Sequence, residues 1–252
     1  MRYTVPLRLS KRHHILKHHI HSSLVSLVVF VLGFIILLGF VGFSNLDLGR
    51  FVSGFFTSLA RTSVAYVISL VLSVLFALII TSTKRLENIL LPIFDVLQSF
   101  PSFALFPILV QALKDSPEAI IVFVLTITMI WPILFSIITG LKNRREDLEE
   151  AATLFGANGF KRLRHFTLPE IMPAIIGGSI IGWGEGWEFI IGAELLVHVN
   201  QGVGNYLGEL GESQRGGLLA LGIFLLMAFL FVINKFLWLP LLQKVTRYQT
   251  ES

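Results

Sequence analysis

Three glutamates, Glu185, Glu188 and Glu194, stand in an otherwise apolar stretch that reads G-W-G-E-G-W-E-F-I-I-G-A-E-L-L. Glu185 and Glu188 are three residues apart, so on a helix they share a face. An ionised carboxylate at the centre of a bilayer costs at least about 2.5–3.5 kcal/mol. Such a group persists only if it faces a wet cavity, is paired, or is protonated. Three readings of Glu185 and Glu188 are therefore open. They line a translocation path and meet the cargo; they pair with a cation from another span or subunit, Arg61 being the one basic residue in the outer half of the second apolar run; or they are packed, protonated or amide-bonded structure beside Gly182, Gly184 and Gly186, which allow helices to approach closely. Glu194 lies nine residues beyond Glu185, about half a turn around the helix and nearer the outer surface, a position that suits a structural role. The sign of the charge also matters. Two ionised carboxylates in a path repel anions, suit a cationic or zwitterionic cargo, or act as a gate.

A second constellation is polar and lies between two apolar runs, E-A-A-T-L-F-G-A-N-G-F-K-R-L-R-H-F-T-L-P over residues 150–169. Leu148, Ala151 or Ala152, and Phe155 recur at helical spacing, while Glu146, Asp147, Glu149 and Glu150 crowd the first turn, where the helix dipole favours negative charge. Gly156 and Gly159 break that helix and turn the chain. Lys161, Arg162, Arg164 and His165 follow, and Leu168-Pro169 starts the next element. A charged loop of this length reads as a docking knob for a soluble partner.

The elements that hold these groups are membrane spans. Of the 252 residues 54% are hydrophobic and 14% charged, against about 25% charged in soluble domains. A bilayer crossing takes about 20 apolar residues. Six stretches qualify: 24–43, 55–83, 89–113, 119–141, 171–197 and 216–242. The expected fold is an all-α membrane protein of six transmembrane helices. The third stretch contains Pro92, Pro101 and Pro107 and is expected to be a kinked helix, either bent for packing or lining a pathway.

Lys and Arg concentrate in the tail at 1–21, the Lys84-Arg85 turn, the central loop and Lys244/Arg247, whereas the opposite loops hold Arg50, Arg61, Lys114 and Arg215. Both termini and the central loop are therefore expected to be cytoplasmic. The chain then divides into a basic tail, 1–21, and a transmembrane domain, 22–252, with its cytoplasmic loop at 142–169. The tail's His13, His14, His18, His19 and His21 form either a metal-binding cluster or a cationic headgroup-facing stretch, and topology favours the second. The net charge of +4 follows from loop orientation and is no nucleic-acid footprint. Cysteine is absent, which excludes disulfides and thiolate metal sites. No G-x-x-x-x-G-K-[ST] loop occurs, so the chain does not bind nucleotide by that route.

Glu150-Ala151-Ala152, Gly156, and Phe166-Thr167-Leu168-Pro169 resemble the EAA motif of ABC importer permeases, the inner-membrane subunits of binding-protein-dependent transport systems. Phe166 stands where Ile is usual. The likeness extends from about Arg50 to the C-terminus. It includes L-P-I-F-D-V-L-Q-S-F-P-S-F-A-L-F-P over residues 91–107, Pro132 and Pro173, and it is nearest the nitrate/sulfonate/taurine-type branch, where Trp187 and Ala193-Glu194 match usual positions. The resemblance implies a type I ABC importer permease fold in a prokaryotic inner or plasma membrane, with no catalytic residue, metal or cofactor of its own. It implies a second permease copy or paralogue, and a cytoplasmic ABC ATPase dimer that binds ATP and Mg. It also implies an extracytoplasmic solute-binding protein. Glu150, Ala151, Ala152, Phe155, Gly156, Leu168 and Pro169 would couple to the ATPase. Glu185, Glu188, Trp187, Glu194, Pro101 and Arg61 are candidates for the pathway, and the cargo is a small anion or other small polar solute. The rival reading is a stand-alone secondary transporter or channel that uses Glu185 and Glu188; inverted repeats would favour it, and the sequence shows none.

Overall fold

The computed structural model describes residue 33 and residues 46–113, 116–144 and 154–251, with side chains to residue 246. The expected first span at 24–43, the tail, and Glu150, Ala151 and Ala152 lie essentially outside the described residues. Every regular element described is helical: α1, Leu48–Ile80; α2, Lys84–Gln98; α3, Phe106–Ala112, entered through a 3-10 turn at Ser102–Leu105; α4, Pro117–Lys142; α5, Gly159–Arg162; α6, Leu168–Val197; α7, Val203–Glu212; α8, Gly216–Ile233; and α9, Leu239–Glu251. Four helical stretches are long and apolar enough to cross a membrane, or five if the bent pair α2 and α3 is one span.

Two central helices run parallel in a fixed register. Arg61 reaches Glu118, the Ser69 hydroxyl donates to the Thr126 carbonyl and the Ser73 hydroxyl to the Ile130 carbonyl, always 57 residues apart. In an apolar medium such hydroxyl bonds and small buried residues, here Ala65, Ser69, Ser73 and Ala77, draw helices together. Helix α6 packs on α4 through Gly178, Gly182 and Gly186, a row at four-residue spacing. A Cβ at Gly178 would lie 2.9 Å from the Ile133 Cα and the Pro132 oxygen, and one at Gly182 would lie 3.0 Å from the Met129 oxygen. The backbones therefore touch where α4 carries Pro132. Gly184 is different, because a Cβ there meets nothing within 4 Å. Of the three glycines expected to permit close packing, Gly182 and Gly186 do so and Gly184 does not. Gly178→Val is expected to lower stability by about 1–3 kcal/mol through overpacking, while Gly184→Val is tolerated. Thermal unfolding of the detergent-extracted variants checks the contrast.

The third span is broken where a kinked helix was expected. Helices α2 and α3 meet at 78° across the Ser99–Pro101 break. Pro101 is extended, with φ −70° and ψ 102°, and Pro107 sits in the first turn of α3, where its missing N–H costs nothing. Pro92 lies inside α2 without ending it.

Two prolines act in another way. The Leu168 N–H donates to the Leu163 carbonyl and the Leu239 N–H to the Asn234 carbonyl, both wide π turns that immediately precede Pro169 and Pro240. A proline ring crowds the carbonyl four residues back, and widening the turn ahead of it relieves that clash. Leu168 therefore begins α6 as expected, yet the helix continues through the π turn from Gly159 to Val197.

Candidate translocation and coupling sites

At the end of the bundle that holds the start of α1 and the end of α6, Glu194 is fully buried. Its Oε1 accepts from Ser58 Oγ at 2.7 Å and from Arg61 Nη1 at 2.6 Å, and its Oε2 accepts from the Gly204 N–H at 2.8 Å. Ser58 Oγ in turn accepts from the Val203 N–H at 2.9 Å. These bonds satisfy the first amides of α7, which has no side-chain cap of its own. Its N-terminus is thus capped from α1 and α6, with a carboxylate where the helix dipole favours one. Only glycine fits at the junction. Gly202 has φ 147°, and a Cβ on it would lie 2.2 Å from Glu194 Oε2. A Cβ on Gly54 of α1 would lie 2.9 Å from the Gly202 carbonyl. The junction leads into the ten-residue α7, which buries Val203, Gly204, Tyr206, Leu207 and Leu210.

Arg61 joins this cluster to α4. Its Nη1 also donates to the Gln201 carbonyl at 2.7 Å, while Nε and Nη2 grip the two oxygens of Glu118 at 2.6 and 2.5 Å. Arg61 therefore pairs with Glu194 and Glu118, so the pairing with Glu185 and Glu188, one of the three readings open for those acids, is not the one this cation makes. Nearby, Tyr206 Oη accepts from the Asp47 N–H at 3.1 Å. Burial pushes that phenol's pKa up, so the hydroxyl stays neutral. The Arg50–Glu209 pair on the rim is about half exposed and contributes little. Ser58, Glu118, Gln201 and Gly204 escaped the sequence reading. The usable signals were Ser58 one helical turn before Arg61 and an acid directly after Pro117.

Glu185 and Glu188 lie elsewhere. Gly177, Ile181, Gly184 and Glu188 recur along one side of α6 at three- and four-residue spacing, and among the described residues this side is left largely uncovered. Glu188 and Ile181 are exposed and Glu185 is half-buried. A groove of about 500 Å³ opens beside this side toward the other end of the bundle. It is lined by residues that include Ser136, Thr139, Asn143, Ala174 and Ile181. Trp187, expected with the acids, points into the core and stacks on Phe55 at 5.3 Å between centroids. Phe103, just past Pro101, stacks on Phe189, the neighbour of Glu188, at 4.2 Å. The broken span thus abuts the acid-bearing helix.

At the opposite end, Lys142 closes α4 and pairs with Glu87 of α2. Past residues 145–153, Leu154 and Phe155 are 87% and 81% exposed. Gly156 and Gly159 follow with φ of 64° and 50°, in the left-handed region that favours glycine, so both turn the chain as their identity suggested. Lys161, Arg162, Arg164 and His165 continue into α6. Glu150, Ala151 and Ala152 of the motif lie outside the described residues. Among the described residues no His, Asp or Glu cluster could hold a metal.

Residues 69–238 match the family described as binding-protein-dependent transport system inner membrane component, and the chain belongs to that family. The family match and the apolar helices together make it a multi-pass membrane protein. The chain is 31% identical over 159 residues to the nitrate import permease protein NrtB of Synechocystis sp., covering 63% of this chain and 57% of that relative. It is 26% identical over 199 residues to the bicarbonate transport system permease protein CmpB of Synechococcus elongatus, covering 77% and 71%. It is 23% identical over 179 residues to the taurine transport system permease protein TauC of Escherichia coli, covering 70% and 64%. The matched stretch thus spans less than two thirds of the nitrate relative's length.

Proposed function

We propose that this chain is the membrane-spanning subunit of an ATP-driven importer for a small anion or similarly small polar solute. It pairs with a second copy or a paralogue and docks on a cytoplasmic ATPase dimer through residues 142–169. ATP and Mg are bound by that ATPase, and a solute-binding protein delivers cargo at the Arg61 end. The observation that carries this reading is the bare ridge of Leu154 and Phe155, which follows the EAA residues in sequence and leads into two left-handed glycines. Apolar side chains that prominent beside a basic segment suit burial in a soluble partner. The glycine turns fix the ridge relative to the continuous helix from Gly159 to Val197, so a push on the loop reaches the acid-bearing side of α6. The concentration of Lys and Arg at this end supports its cytoplasmic placement. Because the relatives import nitrate, bicarbonate and taurine, a small oxygen-bearing anion is the favoured cargo. Glu185 and Glu188 then serve as a gate that repels such anions until the helices rearrange. Phe155→Asp is expected to abolish co-purification with the ATPase while the permease itself stays folded. Co-purification at the wild-type level would remove the docking role.

A further inference from the structure

The Arg61 guanidinium has two unequal sides. Toward the core, Nη1 is committed to Glu194 and to the Gln201 carbonyl, and Glu194 is held in addition by Ser58 and Gly204. That side is built into the fold. On the other side, Nε and Nη2 form a two-pronged grip on Glu118. The side chain of Glu118 is 62% exposed, whereas Arg61 is 6% exposed. Among the described residues Arg61 alone holds the Glu118 carboxylate. A fully buried acid fixes the cation in place, and a water-exposed acid occupies its remaining edge.

We propose that this edge of Arg61 is a receiving site for a planar oxyanion, with the Glu118 carboxylate as its resident stand-in. The proposal rests on the reading of the chain as the pathway of an anion importer, and it names the residue that first holds the cargo. A guanidinium edge offers two parallel N–H groups matched to two oxygens on one trigonal centre. A carboxylate, bicarbonate or nitrate presents that geometry, whereas a cation is rejected by the same donors. Exchange is favoured by the asymmetry. The Glu118 carboxylate is already mostly in water, so it can be exchanged for an incoming anion that makes the same two bonds to Arg61. Meanwhile Glu194 keeps Arg61 positioned and partly shielded from solvent. Charge is conserved as well. Glu118 and an incoming monoanion each carry one negative charge, so replacing one by the other leaves the cluster's net charge unchanged and requires no proton. The site lies at the end of the bundle where α4 begins and α7 is capped, the end assigned to cargo delivery.

The test uses the full-length purified permease and phenylglyoxal, which modifies accessible arginines, with Arg61 modification read by mass spectrometry. Sodium nitrate is the probe and sodium chloride at equal ionic strength the control. In Glu118→Gln, Arg61 modification in chloride is expected to rise severalfold as its Nε and Nη2 edge is uncovered, and nitrate is expected to restore most of the protection. Glu118→Ala serves as the second variant, since Gln can itself hydrogen-bond Arg61. Equal modification in nitrate and chloride in both variants would overturn the proposal, as would an Arg61 that stays unreactive in both. ATPase docking is measured on the same preparations. Normal docking without nitrate protection removes this inference alone, and nitrate protection without docking removes the importer reading instead.

Discussion

Glu194→Ala is expected to be the most destabilising single substitution in the bundle, by about 3–5 kcal/mol, because it removes one partner of a buried ion pair. Two losses combine. Arg61 would keep only the exposed Glu118 as counter-charge, and the Gly204 N–H at the start of α7 would lose its acceptor. Glu194→Gln keeps the shape and one acceptor oxygen and should cost less. Glu118→Gln should cost least, since its carboxylate is mostly in water. Removing both charges with Arg61→Met and Glu194→Leu should be milder than Glu194→Ala alone, because no buried charge is then left unpaired. Thermal unfolding in detergent ranks the four. An Ala variant that melts with wild type would mean that the cluster does not hold α7.

Glu185→Gln with Glu188→Gln is expected to turn a tightly coupled transporter into a leaky one. At roughly 6 Å, in the effective dielectric of about 20 suited to partly exposed sites, one carboxylate opposes a monoanion by about 2–3 kcal/mol. At about 1.4 kcal/mol per factor of ten, neutralising the pair should raise passive anion flux in vesicles by at least tenfold. The ratio of ATP-driven to passive uptake should fall accordingly. The placement of these acids supports this expectation, since both lie toward the side of α6 left uncovered among the described residues, away from Arg61. Wild-type flux and unchanged solute preference in the double variant would take these two acids out of the pathway.

Apolar run length was enough to locate the long helices, because the bilayer imposes it; α4 and α6 begin and end within three residues of the expected spans. Other features depended on contacts far apart in sequence. Three prolines announced irregularity in the third span without saying which one breaks it, since Pro92 and Pro107 both sit within helices. Helix α7 was hidden because Gly204, Gly208 and Gly211 lower helix propensity, and what holds it is capping by Ser58 and Glu194, 145 and 10 residues away from the amides they serve. The pairing of Arg61 was illegible for a related reason. Helical periodicity grouped Glu185 with Glu188 but could not say which side of α6 faces α1. The glycine row at 178, 182 and 186 settles that side by demanding contact with α4. In the loop, Gly156 and Gly159 were readable from residue type alone, since both adopt the backbone region that glycine favours.

The central claim, that the segment around Phe155 is where an ATPase drives this chain, has a direct measurement. The native chain has no cysteine, so Phe155→Cys places one unique thiol on the exposed ridge. In membranes that contain the whole importer, a bifunctional thiol reagent should cross-link that residue to the ATPase. ATP together with a trapping phosphate analogue should change the cross-linking yield, and Glu188→Cys should give no such product. A Phe155→Cys chain that never cross-links to an ATPase, in membranes where uptake proceeds without ATP, would contradict the account.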